Sequence, residues 1–215
     1  MGKQKHIYDE NLFTIDTEEK AYILGFIVAD GTLSKTQTNY CIAIYQKEKE
    51  ILEDIAKITG GSVIKQKTRD LYTLRLNSRK LFDSALEVGL RVNKTYNGID
   101  CDLIRSSIPF HLVDHFFRGL IDGDGCITLS PAPSYEFQPC IHISIPDIKI
   151  LEWMKEHYNL SISISERNRK NRIPMYSLTI KSVSAINLCR TMYFNCTLFL
   201  KRKHKRANLI VSFFG

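Results

Sequence analysis

The 215-residue sequence predicts an α+β fold, two tandem αββαββα repeats related by pseudo-two-fold symmetry, each with a four-stranded antiparallel sheet. Three observations predict it. A nine-residue pattern occurs twice, 94 residues apart, as Ile23-Leu24-Gly25-Phe26-Ile27-Val28-Ala29-Asp30-Gly31 and Phe117-Arg118-Gly119-Leu120-Ile121-Asp122-Gly123-Asp124-Gly125. The order of helical and strand-like stretches after the first copy recurs after the second. Within the strand-like stretches apolar and polar residues alternate, the period of a half-buried sheet.

The elements follow in order. Asp16-Thr17-Glu18-Glu19 starts a helix with a capping-box pattern, and Gly31 ends it after Asp30. Strands are expected near 32–37 and 39–45, with a turn at Thr38-Asn39. Lys47 to Thr59 reads as an amphipathic helix that Gly60-Gly61 stops. Strands near 62–68 and 71–77 and a helix from Ser78 to Gly89 close the first unit. The second unit opens with a motif helix from Ser107 to Asp124, with Pro109 in its first turn. Strands near 126–131 and 138–145, a helix over 147–158, strands near 161–167 and 175–181 and a helix from Ser182 to Phe194 repeat the order, and the tail 205–214 has a helical pattern. The expected boundaries are 1–98 for the first repeat, 99–106 for the linker and 107–215 for the second repeat.

The net charge of +7 points to a polyanionic partner. Residues 1–105 hold 16 Lys/Arg against 15 Asp/Glu, whereas residues 106–215 hold 14 against 8, so the excess sits in the second half. Six cysteines form no CxxC pair, which argues against a zinc site and for reduced thiols. No signal peptide is evident and no apolar run is long enough to span a membrane, so an intracellular protein, in cytoplasm, nucleoid or organelle matrix, is expected.

The alternation leaves each sheet one apolar face for helices and one face of Ser, Thr, Asn, His, Lys and Arg, with Glu166 the main acidic exception. Such a face suits double-stranded DNA, where cations meet phosphates and short polar groups meet base edges. The candidate contacts are Lys35, Lys47, Lys65, Lys67, Arg69, Arg75, Asn77, His142, Ser144, Arg167, Arg169, Lys170, Arg172, Lys181 and Lys201.

The motif itself carries chemistry. Gly25 and Ala29 lie four apart, as do Gly119 and Gly123, so one face of each helix is small enough for close backbone approach. Packing the two helices together sets Asp30 beside Asp124. Two such carboxylates repel unless a cation lies between them, and Mg²⁺, a hard ion that takes one or two carboxylates plus phosphate oxygens and water, is the expected one; Mn²⁺ or Ca²⁺ can replace it. Ala29 and Gly123 are candidates to add backbone carbonyls. Asp122 has Val28 as its counterpart and is not expected to be essential.

On these two motifs and the element order around them, the chain resembles the LAGLIDADG homing endonucleases over about residues 10–210, in the monomeric two-motif branch. The resemblance implies a Mg²⁺-dependent, site-specific DNA endonuclease, active as a monomer on a long asymmetric target and leaving a staggered double-strand break. It also implies that Gln46 orders water and that Lys94 and Lys203 stand near the scissile phosphates. The second half departs from the pattern: where the first has Gln46-Lys47, it reads Pro146-Asp147, leaving His142 as a possible substitute or the two strands cut at different rates. The competing reading is a non-cleaving DNA- or RNA-binding protein or intron maturase on the same scaffold. An intein-borne enzyme is disfavoured, for want of a splicing domain.

Overall fold

A computed structural model describes residues 7–132, 136–168 and 173–215; Arg169, Lys170 and Arg172 lie outside the described residues. Helix α1 runs Glu18–Asp30, capped by Thr17, whose Oγ1 accepts from the Lys20 N–H at 3.3 Å. The cap is thus one residue later than the sequence suggests, and Asp16 instead pairs with Lys20 at 2.8 Å. Strands β1 (Gly31–Lys35) and β2 (Tyr40–Gln46), helix α2 (Lys49–Thr59), strands β3 (Ser62–Lys65) and β4 (Tyr72–Leu76) and helix α3 (Arg79–Glu87) complete the first repeat.

The connecting segment is itself helical, with α4 over Lys94–Asn97 and α5 over Cys101–Ser107, the latter burying Cys101 and Ile104. The second motif helix begins later than Ser107. Ile108 is extended and Pro109, which has no N–H to continue α5, leads into a 3₁₀ turn over Phe110–Leu112, so α6 spans Val113–Asp124. Then follow β5 (Gly125–Pro131), β6 (Phe137–Ile145), α7 (Ile148–His157), β7 (Ser165–Arg167), β8 (Met175–Lys181), α8 (Ser182–Tyr193) and α9 (Lys201–Phe214). The tail helix therefore starts four residues before its expected beginning and takes in the basic run.

Each repeat forms one antiparallel sheet, in the orders β1-β2-β4-β3 and β5-β6-β8-β7. On the inner face of the first, Leu33, Ile42, Ile44, Leu74 and Leu76 meet Ile51, Leu52 and Ile55 of α2 and Leu81, Phe82 and Ala85 of α3. On the second, Ile127, Ile141, Ile143, Ile145, Leu178 and Ile180 meet the corresponding residues of α7 and α8. Between the sheets, α1 and α6 pack together more extensively than any other pair of helices. Apolar burial on both sides explains why α1 is buried without interruption from Ala21 to Val28.

The glycines of the motif make that packing possible. A Cβ on Gly25 would lie 2.0 Å from the Phe116 carbonyl oxygen, and one on Gly119 would lie 2.1 Å from that of Tyr22. The final Gly of each motif lets the chain pass from helix to strand with no loop: a Cβ on Gly31 or Gly125 would meet the Ile27 or Ile121 carbonyl at 2.5 or 2.8 Å. No helix among the described residues is long and apolar enough to cross a membrane.

Candidate active site at the helix junction

Asp30 and Asp124 end α1 and α6, and the crossing of the two helices brings these ends together. A Cβ on Gly123 would touch the Ala29 Cβ at 2.2 Å and lie 3.5 Å from Asp30 Oδ2, so the Asp30 carboxylate reaches across to the opposite helix. Burial, then the neighbouring charge of Asp124, pushes the Asp30 carboxyl up to about 6, against the pull of Lys94, Lys203 and Arg202. Burial likewise raises Asp124, against Lys94 and Lys203.

The two lysines are placed alike. Lys94 Nζ donates to the carbonyl oxygens of Ile27, at 2.9 Å, and of Val28 and Ala29, at the C-terminal end of α1. Lys203 Nζ donates to those of Ile121 and, at 2.6 Å, Asp122, at the C-terminal end of α6. A helix C-terminus has unpaired carbonyls and partial negative charge, which an ammonium satisfies. Burial pulls both lysines down to about 8, with Asp30 and Asp124 opposing this at Lys94 and Asp122 and Asp30 at Lys203. The structure thus assembles four of the sequence-predicted residues into a two-fold arrangement, and engages the Ala29 carbonyl with Lys94.

Gln46 joins on one side only. Its Nε2 donates to Asp30 Oδ2 at 3.1 Å, and its Oε1 accepts from the Lys47 N–H at 2.8 Å, which fixes the amide. The strand register corrects the expected counterpart. Gly31 pairs with Ile44 and Gly125 with Ile143, while Glu48 caps α2 and Asp147 caps α7. Gln46-Lys47 therefore corresponds to Ile145-Pro146, not Pro146-Asp147. Ile145 is buried, and a cleft of about 420 Å³ opens beside Asp124, lined by Lys94, Ile99, Ser144, Ile145 and Pro146 among others. His142 hydrogen-bonds Thr179 at 2.9 Å on the open sheet face.

The two carboxylates form an all-oxygen set suited to Mg²⁺, and no group of three or more His, Cys, Asp or Glu able to hold a metal occurs among the described residues. The remaining ligands of an ion held there must come from water, backbone or a phosphate. Asp122 plays a different part. Its buried carboxylate accepts from Tyr22 Oη at 2.9 Å, Tyr193 Oη at 2.6 Å and the Leu200 N–H at 2.8 Å, tying α1, α6, α8 and the start of α9 together. Sequence reasoning missed this; the signal was a carboxylate at the position that apolar Val28 fills in the first motif.

The open face of the sheets carries Arg75 in the first repeat and His142, Ser144, Arg167 and Lys181 in the second, all on the side away from the helices, while Asn77 lies exposed just past the end of β4, its N–H donating to Tyr8 Oη at 3.2 Å. Ser144 accepts from Ser177 Oγ at 2.9 Å. Several candidates lie elsewhere. Lys35 pairs with Tyr40 in register with buried Leu33, on the helix side, and Tyr40 packs on Phe82. Lys65 shares the side of Val63 and Leu74 and pairs with Asp70 at 3.6 Å. β3 ends at Lys65, so Lys67 and Arg69 stand exposed in the hairpin loop rather than on a strand. Lys47 is exposed at the strand end beside Gln46. Lys201 is bound to Glu50 of α2 at 2.6 Å, amid acidic residues of the helix layer. Glu166 pairs with Tyr176 on the helix side, so among the described strand residues the open face has no acid.

Residues 17–88 match the model of a LAGLIDADG-like domain. No curated protein matches the chain in sequence. Among solved structures, the LAGLIDADG meganuclease I-AabMI bound to uncleaved DNA is similar at a TM-score of 0.61 and 16% identity, over 89% of this chain and 88% of that one. The I-LtrWI LAGLIDADG homing endonuclease bound to target DNA gives 0.57 and 12%, over 95% and 91%. Meganuclease I-SmaMI gives 0.57 and 12%, over 89% and 88%. The first repeat is thus a LAGLIDADG-like domain, and the whole chain has the two-repeat fold of the LAGLIDADG meganucleases that its sequence resembles.

Proposed function

We propose that this protein is a site-specific homing endonuclease that makes a staggered double-strand break in a long asymmetric DNA target by Mg²⁺-dependent phosphodiester hydrolysis, acting as a monomer. The observation that carries the reading is the pairing of Asp30 with Asp124 at the junction of the two helices, each helix end backed by a lysine, Lys203 buried and Lys94 half-buried. The related structures with DNA bound, one of them I-SmaMI with uncleaved target and calcium ions, support the substrate class and a divalent ion.

Asp30 and Asp124 would hold Mg²⁺. When bound, Mg²⁺ supplies acidity for the attacking water and positive charge opposite the leaving 3′ oxygen. Lys94 and Lys203 set positive charge at the junction, where negative charge grows on the phosphate in the transition state. The Gln46 amide, fixed between Asp30 and the Lys47 N–H, can hold a water by exchanging one of its hydrogen bonds. The open sheet face, with Arg75, His142, Ser144, Arg167 and Lys181, lies along the DNA; Lys47, Lys67, Arg69 and Asn77 reach it from strand ends and hairpin loop.

The test is cleavage of a randomised DNA library with and without Mg²⁺ by the wild type and by Asp30→Asn. Discrete cuts that need Mg²⁺ and vanish in the variant are expected. Specific binding with no cut would instead establish the non-cleaving binding protein.

A further inference from the structure

The inference rests on the nuclease reading and concerns Arg202, in the first turn of α9. Arg202 belongs to the second repeat, yet its Nε donates to Glu48 Oε1 at 2.6 Å, and Glu48 is the first-repeat residue that follows Gln46-Lys47. Gln46, two residues before Glu48, donates to Asp30 Oδ2 at 3.1 Å, so the Glu48 pairing sets Arg202 on the Asp30 side of the junction. Among the described residues Glu48 is the sole hydrogen-bond partner of the guanidinium, and the side chain is 57% exposed. Nη1 and Nη2 are therefore open to an anion, and a guanidinium fork fits phosphate well.

The pseudo-two-fold axis supplies no equivalent. Asn93 precedes Lys94 as Arg202 precedes Lys203, and it is uncharged, with a left-handed backbone (φ 53°). Asp147, the counterpart of Glu48, is occupied with the N–H groups of Lys149 and Ile150 at the start of α7. We propose that Arg202 is a phosphate-binding residue of the half-site built on Asp30 and Gln46, delivered across from the second repeat, and that it makes the cut of that strand the faster one. The alternative is that Arg202 and Glu48 merely tie the repeats together.

The test uses a DNA target selected by binding from a randomised library, each strand labelled separately. Gln46→Ala identifies the strand served by Asp30. Arg202→Ala is expected to slow the cut of that same strand about tenfold and the other less than about twofold, since a removed charge matters only where charge develops. Arg202→Lys restores part of the rate. Glu48→Gln, which keeps an acceptor but removes the ion pair, leaves both rates within about twofold. Equal slowing of both strands, slowing of neither, or an Arg202→Ala effect reproduced by Glu48→Gln overturns the proposal. A wild type that binds but cuts neither strand refutes the nuclease reading instead. Arg202 is then judged by binding: its replacement lowers the slope of log affinity against log salt by about one if it meets a phosphate. An unchanged slope overturns it.

Discussion

At neutral pH, Asp30 carries charge where the protein stabilises charge poorly, and burial raises its neighbour Asp124 as well. Because the folded Asp30 carboxyl titrates at about 6, above its ordinary 3.8, the native state holds the extra proton between those values. Stability therefore falls as pH rises from about 4 to about 6 and stays lowered above that. Asp30→Asn is expected to raise the unfolding free energy at pH 7 by roughly 1–3 kcal/mol, a gain that shrinks to nothing as pH falls toward 4. Chemical denaturation of both proteins across that range checks it. Mg²⁺ competes for the same carboxylates, so the rise in Tm it produces should weaken below pH 6 and be largely absent from Asp30→Asn. These two acids were legible in the sequence because the motif is duplicated around them. The asymmetry of their surroundings was not: the match of Gln46 to Ile145 depends on strand register, which a one-residue slip in reading the loops conceals.

Elements set the tolerances within which those residues work. Gly119 faces backbone, the Tyr22 carbonyl, which cannot swing aside like a side chain. Gly119→Ala is expected to cost about 3 kcal/mol by forcing α1 and α6 apart, and with it most of the cleavage activity; a stable, active variant would contradict the helix contact. Asp122 receives three buried donors from three other elements. Asp122→Val, which copies Val28, leaves all three unpaired and should cost about 3 kcal/mol or more. Changing Tyr22 and Tyr193 to Phe in the same chain should recover part of that loss, and calorimetry of the single and triple variants tests the pairing. Helix and strand order could be read from periodicity, but the partners of Asp122 could not, since Tyr22 and Tyr193 lie 100 and 71 residues away. Lys35 and Lys65 were misplaced for a related reason: alternation gives the period of a strand, and only burial of Leu33 and Leu74 shows which phase faces the helices.

For the molecule as a whole, net charge of +7 is spread unevenly and the open sheet face is rich in hydroxyls with few cations. Most of the affinity for DNA should come from phosphate contacts at strand ends and loops, so binding should fall by about 10³-fold or more between about 50 and 200 mM salt if six or more phosphates are met. Titrations at stepped salt measure the slope, and a flat response would remove the DNA-facing assignment. The two repeats also meet through unlike groups. Glu18 of α1 lies 3.8 Å from buried Arg118 of α6 and bonds Thr197, and Tyr22 serves Asp122. The matching positions in the other repeat are Leu24 for Arg118, Leu112 for Glu18 and Phe116 for Tyr22. If the chain were severed between residues 98 and 100 and the pieces mixed, each half should choose the other over its own kind: two second halves would bury Arg118 without Glu18, and two first halves would leave Glu18 without Arg118 or Thr197. The interface that began as a repeat has become a lock and a different key, joined on one chain.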